Sequence, residues 1–207
     1  MRYTLAYPFF SRPDEFVGLD NIPKQGPFIV ASNHISYLDH FFIGAQIIKK
    51  TNQKIHFLAT PEYWQWPLGK QLADYTGAIL IDKKDKKSCL DPAIDLLKKG
   101  GIIGIFPEAH RNNGSELNQG KTGIARLAIW GQAPVLPVGY NGPYTNSFGQ
   151  VMKHLYLKTE PIKINFGQPL SFSQYYDQEI DKKLFRNVTN KVMRAISPLC
   201  NKPYPYK

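Results

Sequence analysis

The stretch 28-FIVASNHISYLDHFFIGAQIIKK-50 changes character twice along its length. Residues 28–32 are short, apolar and partly β-branched, the composition of a strand. Residues 40–50 are apolar and then close on Lys49-Lys50, a favourable charge for a helix C-terminus. Between them, Ser36-Tyr37-Leu38-Asp39 has the Ser-x-x-acid shape of a capping box. The segment therefore reads strand, polar turn, helix. His34 falls on the turn and Asp39 in the first turn of the helix.

The same alternation continues outward. Further strands are expected at 54–59, 78–82, 102–106, 134–140 and 162–166, each a short apolar run punctuated by Gly or Pro. Helices are expected at 61–75, opened by Thr60-Pro61, at 89–99, stopped by Lys98-Lys99-Gly100-Gly101, and at 121–131 and 177–199. Strands alternating with helices predict an α/β fold: one domain over 1–207 with a mostly parallel central sheet flanked by helices. Residues 1–14 form a short N-terminal segment, and the tail 201-NKPYPYK-207 is expected to fray.

Bulk composition narrows the function classes. With 207 residues, 43% hydrophobic and 20% charged, the chain can bury a sizeable core and is not of the disordered class. No uninterrupted apolar run approaches the roughly 18–20 residues that span a bilayer, and MRYTLAYPFFSRP has no signal-peptide core before Ser11-Arg12. Cys89 and Cys200, the only cysteines, lie in no CxxC or histidine cluster; a reduced intracellular protein without a zinc or other metal site is expected. The net charge of +10 is uneven, with ten Lys/Arg against four Asp/Glu in residues 151–207 and sixteen against twelve before them. Such a balance attracts anionic membranes, phosphorylated substrates or nucleic acid.

In parallel sheets, ligands bind beyond the carboxyl ends of strands, where His34 is expected. If the helix begins between His34 and Asp39, the carboxylate can take one ring N–H, fix the tautomer and leave the other nitrogen as a base. The plainer alternative is a capped helix, with Asp39 bound to backbone N–H groups. A serine hydrolase using Ser36 lacks the G-x-S-x-G elbow. Three more segments put polar groups at the ends of apolar runs: 77-GAILIDK-83, 106-FPEAHR-111, and 120-GKTGIARLA-128 followed by 133-APVLPVGY-140. Lys83 and Arg111 are suited to a phosphate, Arg in bidentate fashion and Lys as a point charge.

Taken in order, Asn33-His34…Asp39, Gly77…Lys83, Phe106-Pro107-Glu108-Ala109-His110-Arg111 and Val135-Leu136-Pro137-Val138 resemble the four blocks of the glycerolipid acyltransferases typified by 1-acylglycerol-3-phosphate O-acyltransferase. The match covers roughly residues 15–170. The resemblance implies that fold, with His34 as general base, Asp39 as its orienting partner, and Lys83, Glu108 and Arg111 shaping the acceptor pocket. It implies a lysophospholipid acceptor, an acyl-CoA or acyl-carrier-protein co-substrate, no cofactor, no nucleic acid, and a cytoplasmic protein held peripherally at the inner face of the membrane. Aromatics such as Tyr3, Tyr7, Phe9, Phe10, Trp64 and Trp66 are candidates for that contact.

Three residues depart from the family's blocks. Lys83 stands where Arg is usual, and Ala109-His110 where Gly-Thr is usual. A Cβ at 109 restricts positive φ, and His110 adds a titratable group. The same chemistry on another lysophospholipid, an aminolipid or a glycolipid is the neighbouring expectation. A catalytically silent basic module, binding membrane or nucleic acid, is the expectation from another class.

Overall fold

The computed structural model describes residues 15–60, 76–81, 89–157, 160–176, 178–179 and 181–207. They build a seven-stranded sheet from β1 (Glu15–Val17), β2 (Phe28–Ser32), β3 (Ile55–Ala59), β4 (Ile79–Leu80), β5 (Ile102–Ile105), β6 (Val135–Asn141) and β7 (Lys163–Phe166). The spatial order is β1-β7-β6-β2-β5-β3-β4, and every pairing is parallel except β6 with β7. The expected mostly parallel α/β fold is thus present. Helices α1 (Asp39–Thr51), α2 (Asp91–Lys98), α3 (Gly123–Trp130), α4 (Phe148–Leu157) and α5 (Lys182–Leu199) flank it.

β2 sits at the centre and is buried at every position. Because side chains alternate across a strand, Phe28 and Val30 enter one core with Phe42, Ile43 and Ile47 of α1, while Ile29 and Ala31 enter the other with α2, α3 and α5. A strand covered on both faces has no polar face to show, which is why 28–32 reads as a continuous apolar run. α1 therefore leaves β2 onto one face of the sheet and α3 leaves the neighbouring β5 onto the other. That divergence falls at the carboxyl ends of β2 and β5, the usual ligand position in such folds.

Several elements differ from expectation. β1 escapes sequence reading because it is three residues long and lies at the sheet edge. α4 falls where no element is expected. α5 begins at Lys182, not near 177, because Asp181 caps it by accepting the Leu184 N–H at 2.6 Å. The tail, expected to fray, is hydrogen-bonded to α5. Lys202 N–H donates to Ser197 O at 3.2 Å, Ser197 Oγ donates to Lys202 O at 2.7 Å, and the Tyr204 hydroxyl donates to the buried Asn190 amide oxygen at 2.8 Å. The aromatic and polar side chains of this short segment supply the tethers that its lack of secondary structure withholds. The expected helix at 61–75, Lys83, and the aromatics of residues 1–14 and 61–75 lie outside the described residues.

Candidate active site

The chain leaves β2 through Asn33 and enters α1 at Asp39. Asn33 is buried, and its amide pairs with the backbone of β6 like an added sheet residue: Tyr140 N–H donates to Asn33 Oδ1 at 2.8 Å, and Asn33 Nδ2 donates to Tyr140 O at 2.9 Å. Ser36 and Thr145 join their hydroxyls at 2.6 Å, and Thr145 Oγ1 also accepts the Tyr37 N–H at 3.1 Å. The turn is thus pinned at two points to β6 and the chain beyond it.

Within the turn, Asp39 is the hub. It is wholly buried, and Oδ2 accepts the N–H groups of Ile35 and Ser36, each at 3.1 Å, as well as His34 Nδ1–H at 2.7 Å. Oδ1 accepts the His40 N–H at 2.7 Å. The two readings of the sequence are both realised, since Asp39 caps backbone and orients His34 at once. The capping arrangement is also present in shifted form: Ser36 Oγ accepts the Leu38 N–H at 3.1 Å, and the regular helix starts at Asp39. Burial pushes the Asp39 pKa upward, but the charge of His34 and hydrogen bonds from His34 and His40 outweigh it and hold the carboxyl well below its usual range. Asp39 is therefore an anion at any working pH. Tyr140 lies behind it, its phenol pushed far up by burial and then by the Asp39 charge, so it stays neutral.

His34 is 17% exposed at its side chain. Its Nδ1 is committed to Asp39, which leaves Nε2 as the proton acceptor. One ring face stacks on Phe106, with centroids 4.1 Å apart and planes 14° from parallel. Phe106 in turn stacks on Phe57 at 5.7 Å. Gly104 makes this possible, because a Cβ there would come within 2.4 Å of the Phe57 ring. The imidazole is held in plane by this stack and at one edge by the carboxylate.

The loop after β5 supplies the opposite wall. Glu108 is buried; Oε1 accepts the His34 N–H at 3.3 Å, and Oε2 accepts Asn112 Nδ2 at 2.7 Å and the Asn118 N–H at 2.8 Å. Expected to shape the acceptor pocket, it has both oxygens on protein donors, one of them the His34 backbone. Asn112 N–H donates to His34 O at 2.8 Å, so the His34 backbone is gripped at both its N–H and its carbonyl. Arg111 is half-buried, with its guanidinium 3.9 Å from the centroid of the Tyr37 ring, a cation–π contact that aligns the plane of the fork. Ala109 adopts φ 65°, the left-handed region that favours glycine, and His110 is exposed.

The structure thus gathers His34, Asp39, Glu108 and Arg111 around the turn after β2. Sequence reasoning missed Asn112 and Thr145 as supports. Asn112 follows the 106–111 block directly, a signal within reach, whereas Thr145 is more than a hundred positions from Ser36 and nothing in its surroundings marks it.

Chemically, an oriented imidazole at the mouth of a strand can accept a proton from a hydroxyl as that hydroxyl attacks an activated carbonyl. Comparisons with known proteins bear on the family. The acyltransferase family model matches residues 15–141. A 1-acyl-sn-glycerol-3-phosphate acyltransferase of Bacillus subtilis (strain 168) is 28% identical over 88% of this chain and 86% of its own length. One from Borreliella burgdorferi is 30% identical over 63% of this chain and 51% of its own. The crystal structure of the 1-acyl-sn-glycerophosphate acyltransferase from Thermotoga maritima shares the fold with a TM-score of 0.62, covering 94% of this chain and 75% of that one at 22% identity. The chain belongs to the acyltransferase family.

Proposed function

We propose that this acyltransferase esterifies the free hydroxyl of 1-acylglycerol-3-phosphate with a fatty acyl group from a thioester, forming phosphatidic acid. The observation that carries the reading is the 2.7 Å contact between His34 Nδ1 and the fully buried Asp39 carboxylate. His34 Nε2 takes the acceptor hydroxyl proton as the oxygen attacks the thioester carbonyl. The tetrahedral intermediate collapses, the C–S bond breaks, and the thiolate leaves with the proton returned by the imidazolium. Asp39 stays ionised throughout and stabilises that imidazolium. No covalent enzyme intermediate is required.

Arg111, and Lys83 by its place in the family's second block, hold the acceptor phosphate. Glu108 acts as a positioning residue through the His34 backbone. The donor is acyl-CoA or acyl-carrier protein. Acyl chains require contact with a membrane or carrier; among the described residues no helix is long and apolar enough to cross a bilayer, and the net charge of +10 favours peripheral contact with an anionic inner leaflet. The exposed His110, where the family usually has Thr, favours a second reading in which the same chemistry serves another lysophospholipid headgroup.

An acylation assay with lysophosphatidic acid, a range of acyl-CoA and carrier-bound donors, and product identified by mass tests the reading. The wild-type chain should release thiol and form phosphatidic acid, and His34→Ala should lose on the order of 10³-fold or more in turnover. Unchanged turnover in that variant would falsify the base assignment. Acylation of a different headgroup in preference would redirect the acceptor.

A further inference from the structure

The segment Asn201–Lys207 leaves α5 and turns back across the loop that carries Glu108. Its own tethers run to α5 through Ser197 and Asn190. From that anchorage it grips the loop: Lys202 Nζ donates to Gly114 O at 2.7 Å and to Asn112 O at 3.3 Å, and the N–H of buried Leu117 donates to Pro203 O at 2.9 Å. Asn112 is the residue whose backbone N–H holds His34 O and whose amide holds Glu108.

The loop from Phe106 to Thr122 contains no helix or strand, so its course depends on such contacts. A second cation, Arg186 of α5, holds the far end of the same loop at Gly120 O at 2.7 Å, away from Asn112, while Arg194 donates to Tyr206 O at 3.3 Å. The root of the tail also lies within electrostatic range of the site. The Cys200 thiol is pushed up to about 11, chiefly by burial, with the Glu108 charge raising it and the Lys202 charge opposing.

The geometry points to Lys202 as a positioning residue: its ammonium fixes the backbone of Asn112 and Gly114, and through Asn112 it sets the position of His34, making Lys202, at the root of the C-terminal segment, a working part of the acyl-transfer site. This rests on the reading of His34 as general base.

The test compares Lys202→Met, Lys202→Arg, Tyr206→Ala and His34→Ala in the full chain. Thiol release from a long-chain acyl-CoA with lysophosphatidic acid is followed across pH, and near-UV circular dichroism gives the folded fraction. Lys202→Met should lower kcat roughly tenfold with KM within about twofold, because misplacement affects the reacting geometry more than ground-state binding. The acidic limb of its kcat profile should move to lower pH, since a poorly aligned Asp39 stabilises the imidazolium less. Lys202→Arg should recover most of the rate, and Tyr206→Ala, beyond the gripping contacts, should match wild type. A Lys202→Met enzyme that loses activity only in proportion to its folded fraction, with the limb unmoved, overturns the inference. A fully active His34→Ala removes the base reading and this inference together, whereas an inactive His34→Ala beside an unaffected Lys202→Met removes this inference alone.

Discussion

The turn from β2 to α1 occupies only Asn33–Leu38, whereas the loop from β5 to α3 runs from Phe106 to Thr122. Both leave adjacent parallel strands and both reach His34, yet they are held in opposite ways. The short turn closes on its own carboxylate: Asp39 accepts three backbone N–H groups and the imidazole, at distances of 2.7–3.1 Å. The long loop is shaped by one buried carboxylate, one asparagine and a segment from the far end of the chain. On the proposed mechanism, proton transfer falls to the part held by the most local bonds. On the same proposal, contact with the acceptor falls to Arg111, stacked on Tyr37, on the part whose length and composition can vary.

This contrast is broken most forcefully at its rigid side. Asp39→Asn keeps the volume of the side chain but not the acceptor that fixes the His34 tautomer, and kcat should fall on the order of 10³–10⁴-fold with smaller changes in KM. A drop of less than tenfold in the steady-state assay would mean that the backbone bonds alone position His34. The same residue predicts a pH dependence. Its folded-state pKa lies below the unfolded value of about 4, so its contribution to stability is complete above about pH 4 and fades as pH falls through the folded value. Urea midpoints of wild type and Asp39→Asn should therefore converge in acid and separate near neutrality.

On the adaptable side the effects are smaller and differ in kind. Arg111→Ala should raise KM for a phosphate-bearing acceptor by roughly 10–100-fold, the range of one lost charge-assisted contact, and change kcat less. Arg111→Lys should recover part of it, lacking the planar fork that lies on Tyr37. A fall in kcat at constant KM would place Arg111 with the chemistry and dissolve the division between the loops. The smallest effect is expected at Ala109, whose φ of 65° carries a Cβ where glycine is at ease. Ala109→Gly relieves that strain but loosens the unfolded chain, for a net gain of up to about 1 kcal/mol. For a chain of this size that is a rise of roughly 2–4 °C in Tm, read by thermal melting.

The degree to which each region is legible in sequence follows the same division. β2, α1 and the His34–Asp39 pair are readable because their signals are local: an apolar run, a Ser-x-x-acid start, a basic helix end. β5 is readable for the same reason, and Phe106–Arg111 resembles a family block. The strain at Ala109 follows from that comparison, since a residue with a Cβ occupies a glycine's place. What carries Glu108 to the His34 backbone is not local. Its partners Asn112 and Asn118 act through geometry that no spacing rule supplies, and β1, at three residues, is too short to be seen. The tail misleads because Pro, Tyr and Lys at a chain end look like fraying until their partners on α5 and the loop are known.

The amide of Asn33 completes its two bonds with a residue 107 positions downstream, and the hydroxyl of Ser36 with one 109 positions downstream. A chain still emerging from the ribosome, or refolding with only β2 to β5 in register, lacks both pins. Bringing such distant segments together carries a loop-closure cost that local helix formation does not. Helical signal should consequently return early in refolding and enzyme turnover late, when β6 docks. If His34 is the base proposed above, a half-made molecule exposes no competent base, and recovered activity reports that the whole sheet has closed.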